Sequence, residues 1–154
     1  FFKVNDSYLI KDGVKIIKKS SVFEKNYWKI IASHDGYLKK YNSIHEREIE
    51  FYPEQMTFIG TDKIIKKKTN NNYKFDIRFH VEPNVKLMKT QDKKTILIEL
   101  NEEGWKFTCD NYDINIDNGL YFGNKNSYTE NQNIFISGIS NKQTENIKWE
   151  IKRI

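Results

Sequence analysis

Hydrophobic and polar residues take turns along most of this chain. Between Tyr73 and Glu82, Phe75, Ile77, Phe79 and Val81 fall on one side, and Lys74, Asp76, Arg78, His80 and Glu82 on the other. A period of two marks a strand with one buried face. Pro83 then ends it, because it has no N–H to give a ladder. The same alternation runs through Lys94–Leu100 (Ile96, Ile98, Leu100 inward), Trp105–Cys109 (Trp105, Phe107, Cys109) and Ile147–Ile151 (Ile147, Trp149, Ile151). Weaker patterns predict strands at Tyr8–Ile10, Val14–Lys18, Tyr27–Ser33, Ile44–Tyr52, Thr57–Ile65, Val85–Lys89, Tyr112–Ile116 and Ile134–Ser137.

Turn chemistry separates these runs. Lys11-Asp12-Gly13, Gln91-Asp92-Lys93, Asn101-Glu102-Glu103-Gly104 and Asp117-Asn118-Gly119 combine residues that tolerate left-handed dihedrals. The polar stretch Lys66–Asn72 reads as an exposed hairpin loop. No segment carries a convincing helical period, and no repeat or internal linker is visible. Strands with one apolar and one polar face, at turn spacings of roughly 8–12 residues, predict an all-β fold: an antiparallel two-sheet β-sandwich.

Composition agrees. Ala32 is the only alanine, while two prolines and seven glycines leave the strands mostly unbroken. The 154 residues suffice for one domain, residues 1–154, and 14% aromatic content suffices for a core. No apolar run approaches the roughly 20 residues of a membrane span. No charged-then-apolar leader opens the chain, and Phe1 stands where Met is expected. The sequence therefore reads as a piece of a longer protein, whose compartment this N-terminus does not reveal. A single cysteine, Cys109, excludes an internal disulfide and reads as a small core residue. The net charge of +5 favours a polyanionic partner over a polycationic one, and a solvated lysine surface explains it equally well.

Two segments could carry chemistry. Ser33-His34-Asp35-Gly36-Tyr37 packs an imidazole, a carboxylate and a phenol into four residues at the end of an apolar strand. His can move a proton near neutrality, Tyr can donate one and Asp can orient the His. A structural turn, with Asp35 accepting backbone bonds, is the plainer reading. In Ile44–Phe51, alternation puts His45, Arg47, Ile49 and Phe51 on one face and Glu46, Glu48 and Glu50 on the other. An inward Arg47 needs a carboxylate, from Asp35 or Asp62. Alternatively His45 and Arg47 form a patch that grips a substrate carboxylate. His34 and His45, with ten residues between them, match no metal-ligand signature, so no metal and no cofactor is expected. Arg78 and His80 read as solvated surface or as a contact with another domain. Tyr37, Tyr41 and Lys39-Lys40 form a basic aromatic patch, but no nucleic-acid-binding motif accompanies it.

The ordered set Ala32–Tyr37, His45-Glu46-Arg47, Ile59–Asp62, Phe75–Pro83, Leu100–Phe107, Leu120–Gly123 and Lys148–Ile151 resembles the C-terminal β-sandwich region of heparinase II/III-like proteins over roughly residues 28–153. The resemblance implies a missing N-terminal helical toroid in the same chain, with an acidic polysaccharide as partner. It implies β-elimination at a uronic acid: carboxylate neutralisation, removal of the C5 proton by Tyr or His, and protonation of the leaving oxygen. The family's catalytic residues fall in the toroid and in sandwich segments that precede this chain. No catalytic residue is therefore expected here, and His34, Asp35, Tyr37, His45 and Arg47 stand as candidate substrate or interdomain contacts. The competing reading is a stand-alone carbohydrate-binding or interaction module.

Overall fold

The structure, a computed structural model, describes residues 2–4, 7–9, 13–68, 72–123 and 127–154. Among these residues thirteen strands follow in order: β1 (Phe2–Val4), β2 (Ser7–Leu9), β3 (Ile16–Glu24), β4 (Tyr27–His34), β5 (Ser43–Tyr52), β6 (Thr57–Lys66), β7 (Tyr73–His80), β8 (Lys86–Lys89), β9 (Thr95–Leu100), β10 (Glu103–Thr108), β11 (Ile114–Tyr121), β12 (Thr129–Ser140) and β13 (Thr144–Arg153). β1 and β2 pair with each other. Eight strands form a large antiparallel sheet in the order β3-β4-β5-β6-β13-β10-β9-β8, and three form a second, β11-β12-β7. The fold is an all-β sandwich with sheets of unequal width.

The core lies where the small sheet covers the large one. Ile96, Phe107, Ile114, Ile136 and Ile147 are fully buried there, with Ile77, Cys109, Ile134 and Trp149 beside them. Aromatic rings join the layers: Phe79 of β7 sits edge-on to Phe107 and Trp149 of the large sheet, at 4.8 and 4.9 Å. Burial pushes the Cys109 thiol above its ordinary pKa, as a small core residue requires.

Several expectations need correction. Asp117-Asn118-Gly119 is not a turn but the middle of β11, paired with Asn133, Gln132 and Asn131 of β12. A Cβ on Gly119 would lie 2.1 Å from the Asn133 side chain and 2.7 Å from that of Asn131. Glycine is there to admit two buried amides, not to reverse the chain. Lys66 is not exposed: it is 1% accessible and donates from Nζ to the Ser140 carbonyl at 2.7 Å. The segment after it links two different sheets and is no hairpin; residues 69–71 lie outside the described ones. Residues 10–12, expected in a strand and a turn, also lie outside them. β3 runs on to Glu24, and β12 begins at Thr129, both beyond their expected ends. A four-residue helix, Leu38–Tyr41, follows β4, and a 3-10 turn, Pro53–Gln55, joins β5 to β6. The turn at Asn101-Glu102 is a tight two-residue reversal with φ of 50° and 66°.

Candidate functional site

Register assembles the site. In the β4–β5 ladder His34 stands directly opposite His45, and in the β5–β6 ladder Arg47 stands directly opposite Asp62. Directly opposed side chains on one face meet. Thus two residues of the Ile44–Phe51 segment, one of the Ser33–Tyr37 segment and Asp62 form a single connected group. Trp149 joins it from β13. It pairs with Gly60, its indole lies across that glycine, and its Nε1–H donates to Asp62 Oδ2 at 2.8 Å.

Asp62 is the hub. Its side chain is 0% exposed. Arg47 donates from Nε to Oδ1 at 2.8 Å and from its terminal nitrogen to Oδ2 at 3.2 Å, a bidentate fork. His45 Nε2 lies 2.6 Å from Oδ1. Burial alone would raise the Asp62 pKa, but the bonds from His45, Arg47 and Trp149 hold it below its ordinary value of 3.8. The guanidinium also lies 5.1 Å from the centre of the Phe79 ring, which ties the network to the small sheet.

The imidazole tautomers follow from their neighbours. A carboxylate only accepts, so His45 donates to Asp62 from Nε2 and turns its Nδ1 toward His34. His34 Nε2 lies 3.3 Å from that Nδ1 and donates to it. His34 Nδ1 is then the acceptor, and the Gly36 N–H donates to it at 3.2 Å. Contacts thus run without a break from the Gly36 amide through His34 and His45 to Asp62. Burial first, and the adjacent His45 second, hold the His34 pKa below 6.5, against the pull of Asp35. The nitrogens that would have to face a metal ion face each other and a backbone amide instead.

Asp35 lies apart from this group. Its Oδ1 accepts the Lys15 N–H at 2.8 Å, and its own N–H donates to the Lys15 carbonyl at 3.1 Å. It fastens the start of β3 to the turn after β4. Tyr37 is 48% exposed, with its ring 5.4 Å from His34 and 6.3 Å from Tyr41; Tyr41 lies 5.5 Å from Tyr73. These rings line a cleft of about 540 Å³ that runs along β7 and is floored by His45, Arg47 and Ile64. Arg78 faces the other way: it pairs with Asp117 at 3.2 Å and lies over Phe135, while His80 Nδ1 lies 3.0 Å from Asn133 Oδ1. Sequence reasoning missed Trp149 and Tyr73. The signal for Trp149 was its inward place in an alternating strand, where an indole N–H needs an acceptor.

Fold and site together define an antiparallel sandwich whose inner polar centre is a closed hydrogen-bonded network. The chain belongs to the heparinase II/III-like family: the model of the heparinase II/III-like C-terminal region matches residues 3–150. Among solved structures it is similar to a heparan sulfate lyase, HepC from Pedobacter heparinus, with a TM-score of 0.74 and 11% identity over 91% of this chain and 21% of that one. It is also similar to heparinase III, the BT4657 gene product, with a TM-score of 0.67 and 11% identity over 92% of this chain and 23% of that one. At that identity the likeness shows the fold. The chain spans about a fifth of the length of these structures. No curated protein sequence matches it.

Proposed function

We propose that this chain is the C-terminal sandwich portion of a larger polysaccharide lyase that performs β-elimination on a uronic-acid polymer. Its own part is to hold a wall of the cleft in shape, not to move protons of the substrate. The observation that carries this reading is where the imidazole chain ends. His34 offers its last nitrogen to the Gly36 amide, and the Asp62 carboxylate is spent on Arg47, His45 and Trp149. A general base needs a lone pair within reach of the substrate proton, and these groups have none unspent. His34, His45 and Arg47 therefore act as supports and Asp35 as a fastener. Tyr37, with its exposed ring, is the contact to what lies beyond. The net charge of +5 suits a polyanionic polymer by favouring its approach.

The test is a comparison of two proteins. The 154-residue chain and its full-length parent are each mixed with heparan sulfate and with alginate, and unsaturated uronate is followed by its ultraviolet absorbance. The expected result is product from the parent and none from the chain alone. Turnover by the isolated chain would overturn the supporting role. Silence of the parent on every uronic-acid polymer would overturn the lyase reading.

A further inference from the structure

Neighbouring residues in a strand point to opposite faces of its sheet. Phe107, Ile147, Trp149 and Ile151 pack in or against the core, so Lys106, Lys148, Glu150 and Lys152 stand on the outer face of the large sheet. The ladders draw one row across that face. Tyr52 of β5 is paired with Thr57 of β6, Thr57 with Lys152 of β13, and Lys152 with Lys106 of β10. Tyr27 of β4 extends the row, with its ring centre 5.4 Å from that of Tyr52.

The rings at one end of this row are fixed. The Tyr27 hydroxyl donates to Glu50 Oε1 and the Tyr52 hydroxyl to Glu50 Oε2, each at 3.0 Å, and Lys29 Nζ donates to Oε1 at 3.0 Å. Both tyrosines are half-buried, so their orientation is set before any ligand arrives. Thr57, between the rings and the lysines, is short and buried, and does not stand in the way.

Charge collects at the other end. Like charges directly opposite each other on a sheet are unfavourable, yet Lys106 and Lys152 are so placed. Other lysines of this face are neutralised: Lys29 by Glu48 and Glu50, Lys63 by Glu46, and Lys86 by Glu99. Among the described residues Lys106, Lys148 and Lys152 have no such partner. Glu150 stands between Lys148 and Lys152 on β13 and pairs with neither, so the group stays cationic. Two unpaired lysines side by side gain from an anion placed between them.

We propose that this row is a non-catalytic contact for an acidic polysaccharide, on the opposite face of the sheet from the imidazole network. Sugar rings lie on Tyr27 and Tyr52, and a carboxylate or sulfate meets Lys106 and Lys152. The proposal rests on the reading of the parent as a lyase of uronic-acid polymers, and adds a place that holds the polymer without reacting with it. The C–H groups on one face of a pyranose pack against an aromatic ring, while its acidic substituent stands out at the edge. From Tyr52 to Lys152 is two strand spacings, roughly 10 Å, about the length of a disaccharide. One polymer crossing the strands therefore reaches both. A packed layer of protein would instead bury the unpaired lysines together with the Lys29–Glu50 and Lys63–Glu46 pairs, which is costly.

The test is binding of the full-length parent to immobilised heparan sulfate and to alginate, in the cold to suppress turnover, over a range of salt. Lys106→Gln combined with Lys152→Gln is expected to weaken binding about tenfold and to lower the slope of log affinity against log salt by about 0.7 for each lysine removed. Tyr52→Ser is expected to weaken it about fivefold with the salt slope unchanged, and Tyr52→Phe, which keeps the ring, to restore most of the loss. Loss on heparan sulfate alone identifies sulfate as the anion, and loss on both polymers identifies carboxylate. Undiminished binding by the lysine variant would overturn the proposal, and so would undiminished binding by Tyr52→Ser, since charge alone would then suffice. Equal affinity for single-stranded DNA, lost in the same variants, would assign the row to any polyanion and overturns it too. Lyase activity is read separately. A parent that binds through this row but releases no unsaturated uronate sinks the catalytic reading alone, and an active parent indifferent to these substitutions sinks this one alone.

Discussion

Arg47 shows most clearly how one residue binds the two layers. Its guanidinium faces a carboxylate that has no contact with water, and it shields that carboxylate with two of its own donors. Truncating one member of such a pair leaves the other charge buried with too few partners, which costs about 3–5 kcal/mol. Arg47→Ala is expected to cost at least about 3 kcal/mol in a urea titration of this chain. A loss below about 0.5 kcal/mol, the range of an ordinary surface change, would show that Asp62 does not depend on it. The inward position of Arg47 was legible from alternation alone. Its partner was not, because Asp35 and Asp62 were both available and only the β5–β6 register chooses between them. Trp149 stands 87 residues from Asp62 in sequence, and no local pattern announces that bond.

At the scale of elements, close approach explains what alternation did not. β6 carries Gly60 opposite Trp149, and a Cβ there would lie 2.0 Å from the indole. The indole cannot retreat, because it is 5% exposed and its N–H is fixed by Asp62. Gly60→Ala is expected to destabilise the chain by about 3 kcal/mol, the upper part of the range for overpacking. Gly13→Ala, which meets nothing within 4 Å, is expected to stay within about 0.5 kcal/mol. Equal effects at the two sites in thermal or chemical unfolding would refute the packing account. The same physics misleads a reader of β11. Asp-Asn-Gly is strong turn chemistry, yet at Gly119 the glycine clears space for Asn131 and Asn133 on the neighbouring strand. The strands with one clean apolar face, β7 above all, were fully legible. β3 was legible only in part, because all nine of its residues are exposed and neither face follows a burial period.

For the whole molecule, the titrating groups add to a definite pH dependence. Asp62, Glu46, Glu50 and Asp92 all sit below their ordinary carboxylate values. Cationic partners outweigh burial at the first three, and hydrogen bonds from Thr90 and the Lys94 and Thr95 amides hold down Asp92. His34 likewise sits below 6.5. A group depressed on folding binds its proton first in the unfolded chain, so its stabilisation is complete above the unfolded value and fades as pH falls through the folded one. The acid limb therefore begins just below pH 6.5 with His34 and steepens below about 4.5 with the carboxylates. On the alkaline side Tyr27, Tyr52 and Tyr112 sit above 10, raised by burial and by bonds to Glu50 or Glu145. Raised groups act with the opposite sign: their contribution is full below 10 and is lost as pH climbs through the folded values. Cys109, held above its ordinary 9.0 by burial, begins the alkaline fall before the tyrosines, so stability should form a plateau between about pH 6.5 and 9 that falls on both sides. His34→Asn is expected to lower the plateau and to flatten the slope just below pH 6.5, leaving the carboxylate fall in place. Urea midpoints measured across that interval decide the matter. An unchanged slope in the variant would mean that His34 titrates as it does in the unfolded chain and that its contacts with Gly36 and His45 do not hold in solution.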